Sequence, residues 1–351
     1  MQALVLHAIG DARLEGIPKP VPDEGEVLVR VASCGVCGSD IPRIFEKGTY
    51  SFPLVCGHEF AGTVDEVSPG VEDFVAGDRV AVFPLLWCGE CPACEHGKYV
   101  QCSSYDYLGS RRNGAFAEYV AVPRRNLIRL PDSVSLEEAA LTEPAAVALH
   151  ALRRAGGSLI GETVAIFGAG PIGLMVAQWA RAMGAADVAL FDVVPRKIEL
   201  SRQLGFENVF DGSTVNPEKA IAELKHGQGA HISIEAAGVP ETMRQALSVT
   251  RRGGRVVLLG NPSKDVSLPL GLISQVMRRE ITIHGTWNSE YSYAGEGDDW
   301  HTALDAMAKG TLRVKPLVTH RVALARAFDA LRMMRDQTEF FAKVVIEPGA
   351  R

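Results

Sequence analysis

Thr163-Val164-Ala165-Ile166-Phe167 runs directly into Gly168-Ala169-Gly170-Pro171-Ile172-Gly173, and a stretch with helical apolar spacing follows to Met183. A Gly-x-Gly-x-x-Gly string alone is a weak signal, but between a strand and a helix each glycine acquires a task. The first permits a tight turn, the second lets the backbone approach a pyrophosphate, and the third allows close helix–strand packing, while the helix N-terminus favours negative charge. Pro171 and Ile172, which open the helix, are expected to contact the same group. Asp192 ends the next strand, 19 residues beyond Gly173. An acid there accepts hydrogen bonds from an adenosine ribose and repels a 2′-phosphate, so NAD is expected over NADP. Arg196 and Lys197 are close enough to favour that phosphate instead, although a solvated helix face accounts for both. Arg196, Leu259 and Gly260 complete the expected cofactor contacts.

Outward from this stretch, strand, turn and helix alternate. Asp187–Phe191, His231–Glu235, Arg255–Leu259 and Ile281–His284 read as strands, with helices at Pro195–Leu204 and Pro240–Thr250. Such alternation signifies βαβ units and a doubly wound parallel sheet, here of about six strands. Before residue 150 the pattern differs: short β-branched runs at 26–31, 60–64, 79–82 and 117–122 are punctuated by glycine turns, giving an irregular, mostly β domain. After Gly285 come helical stretches at 299–308 and 324–334 and a closing strand at 342–346, too little for a separate domain. The expected division is therefore 1–150 with 286–351 against 151–285.

The 351 residues are 47% apolar and 22% charged, which excludes a disordered chain, and 36 basic against 42 acidic side chains leave a net charge of -6. That balance offers no bulk attraction to nucleic acid or an anionic membrane. No apolar run reaches the roughly 18–20 residues of a bilayer span, and the N-terminus lacks a basic segment followed by an apolar one. A soluble cytoplasmic protein is expected.

Seven cysteines are too few for a disulfide scaffold. Cys88, Cys91, Cys94 and Cys102 are separated by two, two and seven residues. Four thiolates at this spacing suit a closed structural zinc site, which stabilises a loop lacking core. An iron–sulfur cluster competes, but the bacterial ferredoxin run ends in Cys-Pro and Cys102 is followed by Ser103. Cys37, in Gly35-Val36-Cys37-Gly38-Ser39-Asp40, and His58-Glu59, in Cys56-Gly57-His58-Glu59, supply the thiolate, imidazole and carboxylate of an open catalytic zinc. Cys34 and Cys56 read as buried small apolar side chains.

In this order, Gly-Val-Cys-Gly-Ser-Asp, Gly-His-Glu, the cysteine lobe and the glycine fingerprint resemble the zinc-dependent medium-chain alcohol and polyol dehydrogenases over the whole chain. The resemblance implies a GroES-like catalytic domain joined to a Rossmann domain, with catalytic zinc held by Cys37, His58 and Glu59. It adds Glu143 from Thr142-Glu143-Pro144 as a further or alternating ligand. It also implies a homodimer or homotetramer joined through the nucleotide-sheet edge near Val256–Ile283. Ser39 is the candidate proton relay, or alternatively a helix N-cap. Pro42 stands where many members carry a histidine, which excludes a relay through that position.

Residues 40–45, 109–114 and 285–287 are most similar to the branch acting on galactitol 1-phosphate. Arg43, Arg111 and Arg112 are then candidate phosphate partners, or simply surface charges. Ser68, where the signature has glycine, and the residues after Trp287 depart from that branch. A sorbitol-type enzyme on unphosphorylated polyols, an L-threonine dehydrogenase, and a catalytically silent NAD- and zinc-binding protein are the rival readings.

Overall fold

Glu26–Gly35 is the central strand of a seven-stranded sheet, and its residues are buried almost throughout because neighbours flank it on both sides. In the computed structural model, which describes every residue except Glu296 and Arg351, the chain forms two units: Met1–Glu143 with Glu290–Arg351, and Pro144–Ser289. The helix Thr142–Ala155 straddles the first boundary, so residue 150, where the sequence pattern changes, lies inside a helix of the second unit.

In the first unit the sheet order is Leu127–Arg129, Arg79–Val82, Glu59–Val67, Glu26–Gly35, Lys343–Glu347, Val318–Ala323, with Tyr119–Pro123 also paired to Glu26–Gly35. The C-terminal segment thus enters the sheet built by the N-terminal residues. Its last two strands run parallel, joined through a 3-10 turn at Leu324–Arg326 and the helix Ala327–Asp336. That helix buries Ala327, Ala330, Leu331 and Met334, one stripe at helical spacing, in the core shared with Val27, Val29 and Val344. A hairpin of Gln2–Ala8 and Asp11–Gly16 and the short strand Leu54–Val55 form a second, three-stranded sheet. Ser68, the departure from the signature glycine, brackets a single residue: its hydroxyl accepts from Glu26 N at 3.1 Å and donates to Glu26 O at 2.8 Å.

The second unit is an all-parallel sheet of six strands in the order Val209–Asp211, Asp187–Asp192, Thr163–Phe167, Ala230–Glu235, Thr250–Leu258, Thr282–Gly285. This is the doubly wound Rossmann order, with its reversal between Thr163–Phe167 and Ala230–Glu235. Thr163–Phe167 is buried at all five positions, as a central parallel strand requires. Sequence periodicity missed Val209–Asp211, too short to show a repeat, and the helices Pro217–Leu224 and Leu270–Arg279. The last of these has no fully buried residue, and Leu272 and Val276 pack only partly buried against the core.

Candidate active site

Where Glu26–Gly35 meets Glu59–Val67, Gly35 lies opposite Glu59. A Cβ on residue 35 would fall 2.2 Å from Glu59 Oε2, so the missing side chain is what admits the carboxylate. Beyond Gly35 the chain turns through Cys37 to Asp40, a fully buried acid. Its Oδ2 accepts from Cys37 N at 3.0 Å, and its Oδ1 accepts from the Arg43 guanidinium at 2.6 Å. His58 Nδ1 stands 3.5 Å from the same Oδ1, an ion-pair approach outside hydrogen-bond geometry that leaves this buried nitrogen without a hydrogen-bond partner among the described residues. Burial opposes charge on the imidazole, but Asp40 and Cys37 outweigh it and hold the His58 pKa well above its ordinary value.

This loop brings Cys37 Sγ, a His58 ring nitrogen and a Glu59 oxygen within 4.8 Å of one another. Soft sulfur, imidazole and carboxylate in that space fit a zinc ion with an open position. Glu143 lies outside this close group. Burial, with Glu59 nearby, pushes its carboxyl up to about 7, and Tyr107 Oη donates to it at 3.5 Å. Ser39 does not cap the short helix it precedes; its hydroxyl is exposed and donates to Cys37 Sγ at 3.3 Å.

Sequence reasoning missed three residues here: Asp40, Tyr107 and Lys343. Lys343 is 4% exposed, and its ammonium donates to Glu59 Oε2 at 2.5 Å and to Val36 O at 3.1 Å. A lysine heading the otherwise apolar strand Lys343-Val344-Val345-Ile346 was the available signal.

The four lobe cysteines also converge. Sulfur separations are 3.5 Å for Cys91–Cys94 and Cys88–Cys102 and 3.9 Å for Cys88–Cys94, against about 3.8 Å between vertices of a tetrahedron with roughly 2.3 Å metal–sulfur bonds. Disulfides would need about 2.05 Å. Backbone amides of Ser103 and Cys94 pull the Cys91 thiol down to about 6, whereas burial pushes the Cys94 thiol up to about 12. Cys34 and Cys56 are buried in the apolar core.

The three candidate phosphate partners are engaged by the protein itself. Arg43 is held by Asp40, and Arg112 lies 3.3 Å from a Glu26 carboxylate oxygen. Arg111 stacks between the Tyr50 and Tyr105 rings, 4.3 Å from each centroid, and donates to Tyr105 O and Tyr50 Oη.

In the second unit, Gly168 has φ +104°, which a side chain disfavours. A Cβ at Gly173 would fall 1.9 Å from Gly168 O, whereas one at Gly170 would meet nothing within 4 Å. Turn, close packing and open approach thus fall on the first, third and second glycines respectively. Pro171 and Ile172 are half-buried at the helix start. Asp192 Oδ2 accepts from Ala169 N at 2.7 Å and Oδ1 from Val194 N at 2.9 Å, so this acid pins the glycine loop, and each oxygen retains a lone pair for a ribose hydroxyl. Lys197 stands 3.8 Å from Asp192 and Arg196 3.7 Å from Glu199. The Leu259 and Gly260 amides both donate to Glu235 O. The buried Glu235 Oε1 in turn accepts from Ala237 N, Gly238 N and Thr242 Oγ1, fixing the turn beside them.

An irregular β unit that gathers metal donors, continuous with a doubly wound nucleotide sheet, is the architecture of a medium-chain dehydrogenase. Residues 23–132 match the alcohol dehydrogenase GroES-like domain and residues 171–309 match the zinc-binding dehydrogenase family. The chain is 37% identical to galactitol 1-phosphate 5-dehydrogenase of Escherichia coli (strain K12), over 95% of this chain and 96% of that protein. It is 33% identical to sorbitol dehydrogenase of Bacillus subtilis (strain 168), over 99% and 98%. The crystal structure of galactitol-1-phosphate dehydrogenase from Escherichia coli superposes with a TM-score of 0.92 at 36% identity, covering 99% of this chain and 100% of that one. This chain belongs to the zinc-dependent medium-chain alcohol and polyol dehydrogenases.

Proposed function

We propose that the protein oxidises a secondary alcohol of a polyol phosphate, with galactitol 1-phosphate as the best candidate, and passes the hydride to NAD. The observation that carries this reading is the convergence of Cys37, His58 and Glu59 within 4.8 Å. In the proposal these three hold the catalytic zinc, Glu143 stands by as an alternating ligand, and Cys88, Cys91, Cys94 and Cys102 hold a structural one. Bound zinc supplies a lowered pKa to a coordinated hydroxyl, and NAD supplies the hydride acceptor.

The chain's own groups do the rest. Asp40 orients His58 and the Cys37 loop through its contacts to both. Lys343 anchors Glu59 at the metal edge. Ser39 Oγ, exposed beside Cys37, takes the substrate hydroxyl proton and hands it to solvent, since Pro42 offers no onward acceptor. Gly168, Gly170 and Gly173 cradle the pyrophosphate, and Asp192 favours a free ribose 2′-hydroxyl over a 2′-phosphate. Arg111 presents its remaining N–H groups to the substrate phosphate.

A second reading, an unphosphorylated polyol as substrate, is favoured by the pairing of Arg43 and Arg112 with carboxylates. The test is NADH absorbance with purified protein over polyols and their 1-phosphates, with and without a chelator. Preference for the 1-phosphate is expected. Preference for the free polyol would overturn the phosphate assignment, and chelator-insensitive turnover would overturn the metal assignment.

The assembly belongs to the same proposal. Leu270, Ile273 and Met277 are exposed on one helix, and Thr282–Gly285 ends the sheet with an edge that no strand pairs among the described residues, so a second copy is expected to cover them in a homodimer or homotetramer. Seven cysteines, all free, support the cytoplasm as the compartment.

A further inference from the structure

We infer that the unit Pro144–Ser289 carries a second anion site, at the edge of its sheet opposite the glycine loop, shaped for the diphosphate group of a small molecule. A groove of about 810 Å³ opens there, between the start of the helix Pro217–Leu224, the turn before Ala230 and the first residues of Thr250–Leu258. Lys219, Arg251, Arg252 and Arg279 line it, against one carboxylate, Glu218. In a doubly wound sheet the dinucleotide lies beyond the carboxyl ends of the strands, so its binding accounts for nothing at the amino ends. Ala230–Glu235 separates the two edges by roughly 17 Å of strand.

The charges are arranged, and they are left uncancelled. Nearby, Lys225 pairs with Asp187 at 3.0 Å and Arg255 pairs with Glu162. Among the described residues none of the four groove cations has a carboxylate within ion-pair distance. Three of them donate to carbonyls instead: Arg279 to Ser248 O at 2.7 Å and Thr250 O at 3.1 Å, Arg252 to Arg278 O at 2.8 Å, and Arg251 Nε to Arg252 O at 3.3 Å. Carbonyl partners fix a guanidinium without removing its charge, which is preorganisation for an anion.

Beyond its carbonyl bond, Arg251 makes a contact that does not satisfy it. Its NH1 lies 2.6 Å from His231 Nε2, while His231 Nδ1 accepts from Thr163 N at 3.1 Å. A neutral imidazole with Nδ1 accepting carries its proton on Nε2, so two N–H donors face each other. Burial, with Arg251 beside it, lowers the His231 pKa and keeps the ring neutral. An incoming phosphate oxygen relieves this opposition by drawing Arg251 into the groove. The lining contains no aromatic ring on which a base would stack, which favours a compact polyphosphate over single-stranded RNA.

The test titrates inorganic pyrophosphate calorimetrically into full-length, zinc-loaded protein saturated with NAD, so that the glycine loop is filled, with zinc content measured before and after. One further site per chain is expected, weakened about tenfold or more in the double variant Lys219→Gln, Arg251→Gln, with kcat and the KM for NAD unchanged. Absence of heat at millimolar pyrophosphate overturns the site. Binding that the double variant leaves intact identifies an adventitious ion only, and pyrophosphate displaced by single-stranded RNA would replace the small-molecule assignment.

Discussion

Lys343 Nζ donates to Glu59 Oε2 at 2.5 Å across 284 residues of sequence, with both side chains buried. The pair ties the last strand of the chain to the candidate metal ligands and offsets the buried carboxylate's charge. Removing one partner of such a pair leaves the other uncompensated, which costs about 3–5 kcal/mol. Lys343→Met should lose that much stability in urea denaturation of metal-free protein. A loss below about 1 kcal/mol would show that the pair behaves like a solvent-screened one.

Ser39 Oγ reaches Cys37 Sγ at 3.3 Å but caps nothing. Ser39→Ala should therefore slow hydride transfer, seen as a changed isotope effect with deuterated alcohol, while zinc content stays the same. Unaltered turnover would remove Ser39 from the proton path.

The cysteine lobe should be structural only. In Cys91→Ser, elemental analysis should find one zinc fewer per chain, and residues 88–102 should become sensitive to protease. Retention of the full zinc content would contradict four-thiolate coordination.

Asp192 accepts two charge-assisted hydrogen bonds, one from Ala169 N in the glycine loop and one from Val194 N in its own turn. Asp192→Ala should raise the KM for NAD at least about tenfold, since such bonds contribute roughly 1.5–3 kcal/mol each, and should shift preference toward NADP. Equal KM values in variant and parent would end this account of selectivity.

Ser135 and Glu138 form a capping box at the start of the helix Leu136–Ala140. Burial works against the charged Glu138 carboxylate, but Ser135 and Lys315 outweigh it and hold its pKa below the ordinary 4.5. Because the folded value is depressed, the contribution is present above pH 4.5 and fades as pH falls through the lower folded value. Ser135→Ala should cost about 1 kcal/mol at neutral pH and less in acid, measured by urea denaturation at several pH values.

The glycine fingerprint was readable because its task is local. Gly168, Gly170 and Gly173 are confined by backbone geometry within six residues, and the strand and helix flanking them carry their own periodicity. The convergence of the cysteine lobe was readable for the same reason, since its four thiols lie within fifteen residues. The second-unit strand Val209–Asp211 was not, because three residues cannot display an alternation.

What the amino-acid order determined by itself was the architecture and the identity of the candidate donor groups: a doubly wound sheet, a four-cysteine lobe, and Cys37 with His58-Glu59 as further candidate ligands. Tertiary structure alone decided how those donors are held. Asp40 turns its carboxylate inward onto Cys37 and His58, Gly35 makes room for Glu59, and Lys343 arrives from the far end of the chain to meet it. It also decided that Arg43 spends its charge on Asp40. The physical reason is range. Turns and periodicity are written in neighbouring residues, whereas the burial of a charge is settled by whichever distant group packs against it.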